Sequence, residues 1–569
     1  MQNNLRRLAE QLNDYLKQPL RDHLSVAKTS WQLCILALIS AMLASIVIIL
    51  LRLLLEWTDT VTHAQIMDFT GIATDWRVLL PLFGAILIRL VAKLGSRRYK
   101  RLGIAYVIHR YKLHYGKLPL QSAAAQFFQA FFALASNFSV GREGPAIHLG
   151  AVTASVIAAK MRLPNNSVRI MCASGIAAGI AATFNAPLAA VIFVFEVIVR
   201  EYKLHYFFPI MLSALVGAVS SQLVFGNIHE YDSINVIHIP VTHYPLLAIV
   251  AIALGIFAAL FNRTLVKVTA LSQPWGLSAR LLLAGIITSA IGLLLPQALG
   301  TGDLAIEVVI SEHPGMLFLL ALLAAKCIAT IAAIGLGIPG GLIGPLYGIG
   351  ALIGTIFALI SAWIFPELTP FIGLYTVIGM TAMMGVCLGA PLAGLTALLE
   401  LTNDATIIMP AMFVTVLAYL VAYQGLKTDS IFLKQIELMG LGYKKPPLHE
   451  ALEKVGVRAL MNRRFVIVNQ DQALLLEVLK RAEGRPVMIK DPQGQINMLH
   501  LSMPSVSNES PLIKEVMQGL EDNATLKEAY ESLALKRRGE LYIWQSSPDN
   551  IVGVISWQQL QQHIRAGQA

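Results

Sequence analysis

From Gln32 through Leu51 the chain carries no charged side chain. At 1.5 Å per residue this run crosses a hydrocarbon core of about 30 Å when helical. It follows some thirty mostly polar residues, which is the wrong shape for a cleaved leader. Arg6, Arg7, Lys17, Arg21 and Lys28 precede it, so the positive-inside rule places the N-terminus in the cytoplasm. A second apolar run, about Val78 to Val91, ends in Lys93, Arg97, Arg98, Lys100 and Arg101, which agrees with two crossings. Apolar stretches continue to about Tyr423. Many are short or broken by Gly and Pro, as in Phe127–Ala135, Ala146–Ala159, Ile170–Ala182 and Leu342–Phe357. Broken helices at membrane depth are tolerated only where the loosened backbone is buried in protein or lines a polar path. That is the pattern of a channel or secondary transporter.

Composition excludes the main alternatives. The chain is 56% hydrophobic and 14% charged, against the ~25% charge of soluble domains. The net charge of +10 fits cytoplasmic loops of a membrane protein, and no basic face with interleaved aromatics marks nucleic-acid binding. Cys34, Cys172, Cys327 and Cys387 lie far apart in apolar segments, without metal-ligand or disulfide-framework spacing. Their reading is core packing, and no metal site is expected.

Two elements occur twice in the same order. Gly141-Arg142-Glu143-Gly144-Pro145 matches Gly341-Leu342-Ile343-Gly344-Pro345 at a displacement of 200 residues. Ala186-Pro187-Leu188-Ala189 with Glu196 matches Ala390-Pro391-Leu392-Ala393 with Glu400 at a displacement of 204, each Glu nine residues past its Pro. The membrane part therefore reads as a duplicated unit, and duplicated transporters often invert their halves around a midplane site. Proline is favoured in the first helical turn, and glycines before it permit a sharp turn and close approach of a ligand. Both GxxGP elements read as helix starts whose free N–H groups and positive dipole end suit an anion. Glu143, an acid at membrane depth, is a functional hypothesis by default. As a tethered anion it competes for the site when ionised and withdraws when protonated, which makes it a candidate gate and pH sensor. Glu196, Glu400 and Lys326 are weaker candidates for which a structural role is the better reading. The later Gly344-xxx-Gly348 and Gly350-xxx-Gly354 patterns read as close helix packing.

These residues resemble the CLC family of chloride channels and proton-coupled chloride exchangers, over about Trp31 to Met439. The resemblance rests on the Gly141–Pro145 segment, Phe184-Asn185-Ala186-Pro187-Leu188-Ala189, the loop Gly337-Ile338-Pro339-Gly340-Gly341-Leu342-Ile343-Gly344-Pro345, and Gly379-Met380 through Glu400-Leu401-Thr402. It implies an all-α polytopic membrane domain with inverted internal repeats and broken helices. It further implies a homodimer with one anion pathway per subunit and both termini cytoplasmic, in the plasma (inner) membrane. By the same resemblance Glu143 is the external gating glutamate. Backbone amides around Arg142, Glu143 and Gly144, and at Leu342 and Ile343, contact chloride.

Three departures qualify what the resemblance implies. In the family a serine of a GSGIP loop lends its hydroxyl to the central chloride, whereas Arg101-Leu102-Gly103-Ile104-Ala105 places Leu102 there. A tyrosine hydroxyl joins it from a late helix, and the equivalent in Ser430-Ile431-Phe432-Leu433 is Phe432. Exchangers also carry an internal glutamate one residue after the position of Glu196, and here that residue is Val197. Valine cannot hold a proton, which favours a channel or weakly coupled conductor over a proton/chloride antiporter. Fluoride transport is a lesser alternative, suggested by the altered central site.

After Gly425 the composition changes. The expected organisation is a cytoplasmic segment over 1–30, the anion-transport domain over 31–425, a polar linker over 426–455 and a cytoplasmic α/β domain over 456–569. The linker carries Lys427, Lys434, Glu437, Lys444, Lys445 and Pro446-Pro447. In the last part, strand Phe465–Val468, helix Leu474–Ala482, strand Pro486–Ile489, turn Asp491–Gly494 and strand Ile496–Leu499 are expected. A similar order follows as helix Leu526–Leu535, strand Leu541–Trp544, turn Ser547–Asn550, strand Ile551–Ile555 and helix Gln558–Ile564. The pair resembles tandem CBS modules. Such modules bind adenine nucleotides through Gly-x-x-Thr/Ser-x-x-Asp. Gly553-Val554-Ile555-Ser556 fits, but Gln559 stands at the acidic position, so no nucleotide cofactor is expected and a membrane-anchored nucleotide sensor is the weaker function. No phosphate loop, zinc motif or nucleophile elbow suggests an enzyme.

Overall fold

The computed structural model describes residues 21–22, 24–25, 30–62, 76–94, 101–202, 204–226, 239–311, 314–402, 404–441, 451–468, 475–482, 484–491, 494–501 and 512–566. Arg6, Arg7, Lys17, Lys28, Arg97, Arg98, Lys100 and the linker residues Lys444 to Pro447 lie outside the described residues, as does part of the turn expected at 491–494.

Two compact units form. One comprises Cys34–Ile157 and Arg169–Tyr443; the other comprises Met1–Leu33, Ala158–Val168 and Lys444–Ala569. Among the described residues, nine helices are long and apolar enough to cross a membrane, all but the ends of some within the first unit. In chain order the helices are α1 (Trp31–Thr62), α2 (Leu80–Leu94), α3 (Gly103–Leu113), α4 (Leu120–Ala135), α5 (Glu143–Lys160), α6 (Asn165–Phe184), α7 (Pro187–Phe193) and α8 (Leu204–Phe225). They continue as α9 (Tyr244–Ser272), α10 (Leu277–Leu294), α11 (Asp303–Ser311), α12 (Met316–Leu336), α13 (Ile343–Ile364), α14 (Ile372–Leu388), α15 (Pro391–Thr402), α16 (Ile408–Leu420) and α17 (Ile431–Leu438).

The sequence repeat is a structural repeat. In each half a GxxGP element opens a helix, α5 or α13, and an Ala-Pro element opens a short one, α7 or α15. The glycines after GxxGP pack helices closely. A Cβ at Gly150 would lie 2.2 Å from the Gly175 carbonyl oxygen on α6, and one at Gly350 would lie 2.3 Å from that of Gly379 on α14. Only glycine lets two helix backbones approach so nearly. An apolar cluster that includes Leu134, Phe138, Val140, Leu336 and Ile338 backs both GxxGP loops.

The stretch 426–455 contains an element that its charge concealed. Helix α17 turns Ile431, Phe432 and Ile436 inward, and the first compact unit runs to Tyr443 rather than to 425. Lys434 pairs outward with Asp429 and Glu437.

In the second unit, β1 (Val466–Val468), α18 (Leu475–Arg481), β2 (Val487–Lys490) and β3 (Ile496–Leu501) are followed by β4 (Leu512–Val516). Then come β5 (Gln518–Glu521), α19 (Leu526–Ala534), β6 (Glu540–Gln545), β7 (Ser547–Ser556) and α20 (Trp557–Ala566). β1 pairs parallel with β2 across α18, and β5 with β6 across α19; each second strand then forms an antiparallel hairpin, β2–β3 or β6–β7. β4 and β5 are additions to the expected order. The turn expected at Ser547–Asn550 is instead strand. The chain reverses at Ser546, with φ of 62°, and Gln545 already pairs with Ser547. Gln559 accepts from the Ser556 N–H at 2.9 Å while its own N–H reaches the Ser556 hydroxyl at 3.3 Å. This is a reciprocal cap on α20. Within this unit Arg21 and Arg458 converge on the buried Asp522, whose carboxyl burial holds above the usual carboxylate range despite both arginines.

Candidate anion site and its gate

The two GxxGP loops meet. Gly141 N–H donates to the Gly341 carbonyl and Gly341 N–H to the Gly141 carbonyl, both at 2.8 Å, as an antiparallel bridge. The chain directions therefore oppose one another where the halves touch. α5 begins two residues beyond the bridge at Glu143, and α13 begins at Ile343. Pro145 and Pro345 lie in the first turns, where a missing N–H leaves nothing unpaired.

Glu143 is fully buried at 0% exposure. Its carboxylate faces the N–H groups of Glu143 itself, Leu342 and Ile343; Ile343 N–H donates to Oε1. Oε2 has no hydrogen-bond partner among the described residues. The bridge glycines make the space: a Cβ at Gly141 would stand 2.1 Å from Oε2, and one at Gly341 would stand 2.0 Å from Oε1. A buried carboxylate is costly unless hydrogen-bonded, and here the α13 start supplies the bond. Gly144 closes the cradle, since a Cβ there would lie 2.6 Å from the Gly340 carbonyl carbon. Arg142 turns away to Asp303 in the first turn of α11, at 3.7 Å and partly exposed.

A cavity of about 340 Å³ is lined by Leu102, Gly103, Gly340, Leu342 and Phe432 together with Arg280 of α10. Leu102 and Phe432, both singled out in the sequence, share one chamber with the second loop. Neither side chain can donate a hydrogen bond. The Gly103 N–H is already given to Gln126 Oε1 at 3.0 Å. Arg280 was not singled out in the sequence; its signal is a lone cation within an apolar run. Its guanidinium lies beside Gly337, and its Nε is buried without a hydrogen-bond partner among the described residues.

Glu196, Glu400 and Lys326 fasten one element to another. Glu196 accepts from Leu392 N–H at 3.2 Å and Ala393 N–H at 2.8 Å, at the start of α15. Glu400 accepts from Leu188 and Ala189 N–H, both at 2.8 Å, at the start of α7. Each acid caps the helix of the opposite repeat. Lys326 is buried, and its Nζ donates to the carbonyls of Ala298, Leu299 and Gly300 at 3.1, 3.2 and 2.7 Å. Val197 is fully buried in the π-helical segment Val194–Val199.

Residues 83–423 match the family described as voltage gated chloride channel, and the chain belongs to this family. It is 31% identical over 310 residues to the H(+)/Cl(-) exchange transporter ClcA of Vibrio cholerae serotype O1 strain M66-2, and 29% identical to that of Vibrio parahaemolyticus. The match covers 52% of this chain and 65% of the Vibrio cholerae protein. A slow cyanobacterial Cl-/H+ antiporter shares the fold at a TM-score of 0.62, with 23% identity over 72% of this chain and 97% of the other. A eukaryotic CLC transporter does so at 0.61, with 18% identity over 93% of this chain and 98% of the other.

Proposed function

We propose that the chain exchanges chloride for protons across the membrane, with Glu143 as the protonatable gate. The observation that carries this reading is the Glu143 carboxylate on the Ile343 amide: an acid occupies the helix start that suits an anion. A proton neutralises the carboxylate, weakens its hold and frees the amides of Leu342 and Ile343 for chloride. The pathway runs from the chamber between Leu102 and Phe432 past Leu342 to Glu143, within one chain. That placement supports one pathway per subunit of a homodimer. Basic residues before α1 and after α2 support cytoplasmic termini, and the two repeated strand–helix–hairpin units support a tandem CBS reading. That relatives such as ClcA of Vibrio cholerae are exchange transporters supports exchange over simple conduction.

A second reading, conduction without proton coupling, is favoured by Val197. Reconstitution with simultaneous chloride and proton recordings separates the two. Exchange predicts a reversal potential that moves with the pH gradient and uphill proton movement driven by chloride. A reversal at the chloride potential at every pH gradient sinks the exchange reading. Glu143→Gln is expected to reduce proton flux by about a hundredfold and to leave a chloride flux that no longer rises as pH falls. A halide competition series in the same vesicles tests selectivity for chloride over fluoride.

A further inference from the structure

The chamber through which chloride is proposed to pass is lined by Leu102 and Phe432, neither of which donates a hydrogen bond. Much of the second loop is engaged as well. The N–H groups of Gly337 and Ile338 are given to the carbonyls of Ile334 and Ala333, at 3.1 and 2.9 Å, and that of Gly341 to Gly141 at 2.8 Å. Pro339 has no N–H, and the Leu342 N–H faces the Glu143 carboxylate. None of the residues that line the chamber is acidic, while Arg101 and Arg280 are cationic. Arg101 is exposed, and Arg280 is half-buried.

Arg280 stands in the first turn of α10, which carries no acid. A cation is disfavoured at that end of a helix, because the free N–H groups already make it positive. The guanidinium cannot escape by losing its proton, so its charge needs a partner. Among the described residues no carboxylate pairs with it and none of its side-chain donors is bonded; Nε is buried without a partner. A charge withdrawn from water is costly unless it is paired and hydrogen-bonded.

The simplest structural role for this arginine is a cap on α12. Gly337 ends that helix with φ of 96°, and a Cβ there would lie 3.9 Å from Cζ and Nη2 of Arg280. A guanidinium kept as a cap would donate to the last carbonyls of α12, which form the negative end of the helix. Among the described residues no carbonyl accepts from it. The guanidinium therefore lies beside the first residue of the second loop, in a chamber without acids, and its donors are open.

We propose that Arg280 is an anion-binding residue of the transport pathway, whose guanidinium holds a chloride ion beside Gly337 before the ion passes Leu342. The mobile ion supplies the counter-charge that the chain omits, and a single half-exposed cation binds it weakly enough for release. This inference rests on the chloride pathway proposed above and is independent of proton coupling.

The test uses the full chain in planar bilayers, with chloride varied on one side at a time. Arg280→Gln keeps a polar side chain and removes the charge. It is expected to raise the half-saturating chloride concentration about tenfold on the side to which the chamber opens, and to leave it within about twofold on the other. A packing defect would move both sides together. Arg280→Lys keeps the charge and is expected to stay within about threefold of wild type. Half-saturation unchanged in Arg280→Gln, equal shifts on both sides, or a lysine variant as impaired as the glutamine one each overturn the proposal and leave exchange standing. Wild-type protein that carries no chloride overturns both. Bromide soaked into crystals of the wild-type chain tests the site without a variant, should Arg280→Gln fail to fold. An anomalous peak against the guanidinium is expected, and its absence there overturns the assignment.

Discussion

Glu400 and Glu143 both set a carboxylate against the amides of a helix start, yet they are bonded differently. Glu400 and Glu196 each use both oxygens, on consecutive N–H groups of the opposite repeat. Glu143 uses Oε1 on Ile343 and leaves Oε2 without a partner, in a fully buried cradle. The same chemistry serves as a fastener where every acceptor is satisfied, and the one open acceptor on Glu143 supports the gating role proposed for it. A complete set of bonds has one low-energy arrangement, whereas a half-used carboxylate has little to lose on leaving.

The comparison can be broken at three points. The largest effect is expected from Glu400→Ala and Glu196→Ala, which strip two charge-assisted bonds from α7 or α15. Each is expected to cost about 2 kcal/mol of stability, read as a faster loss of folded protein on heating in detergent, with proton-to-chloride coupling in the surviving protein unchanged. A normal thermal profile with altered coupling would make these acids part of the gate. Gly341→Ala comes next. Its Cβ would stand 2.0 Å from the Glu143 carboxylate and expel it, so chloride flux at neutral pH should rise about tenfold, equivalent to about 1.4 kcal/mol, and Glu143→Gln should add nothing further. The smallest change sharpens the chamber. Leu102→Ser with Phe432→Tyr introduces two hydroxyls at about 1 kcal/mol each, and calorimetry should read chloride binding tighter by at least about fivefold. Unchanged binding would remove both residues from the pathway.

The helix starts were legible because the repeat supplied two copies and the proline fixed their position in the turn. Glu143 was legible as an acid in a segment that excludes acids. The crossed caps were not. Nothing local links Glu400 to Leu188 and Ala189, because the bonds depend on how the halves meet across more than two hundred residues. Helix α17 was obscured by Lys427, Lys434 and Glu437, although Ile431, Phe432 and Ile436 form its buried side. The β6–β7 reversal was misplaced because Pro548-Asp549-Asn550 has turn composition, while the positive φ falls on Ser546.

The crossed caps also impose an order on biosynthesis. When α7 leaves the ribosome, the acid that will complete its first turn lies more than two hundred residues downstream on the message, still untranslated, whereas Glu196 is already waiting when the start of α15 arrives. The first half must therefore stay provisional in the membrane until the second is made. A chain truncated before residue 400 is expected to be captured by quality-control proteases even when its helices have inserted.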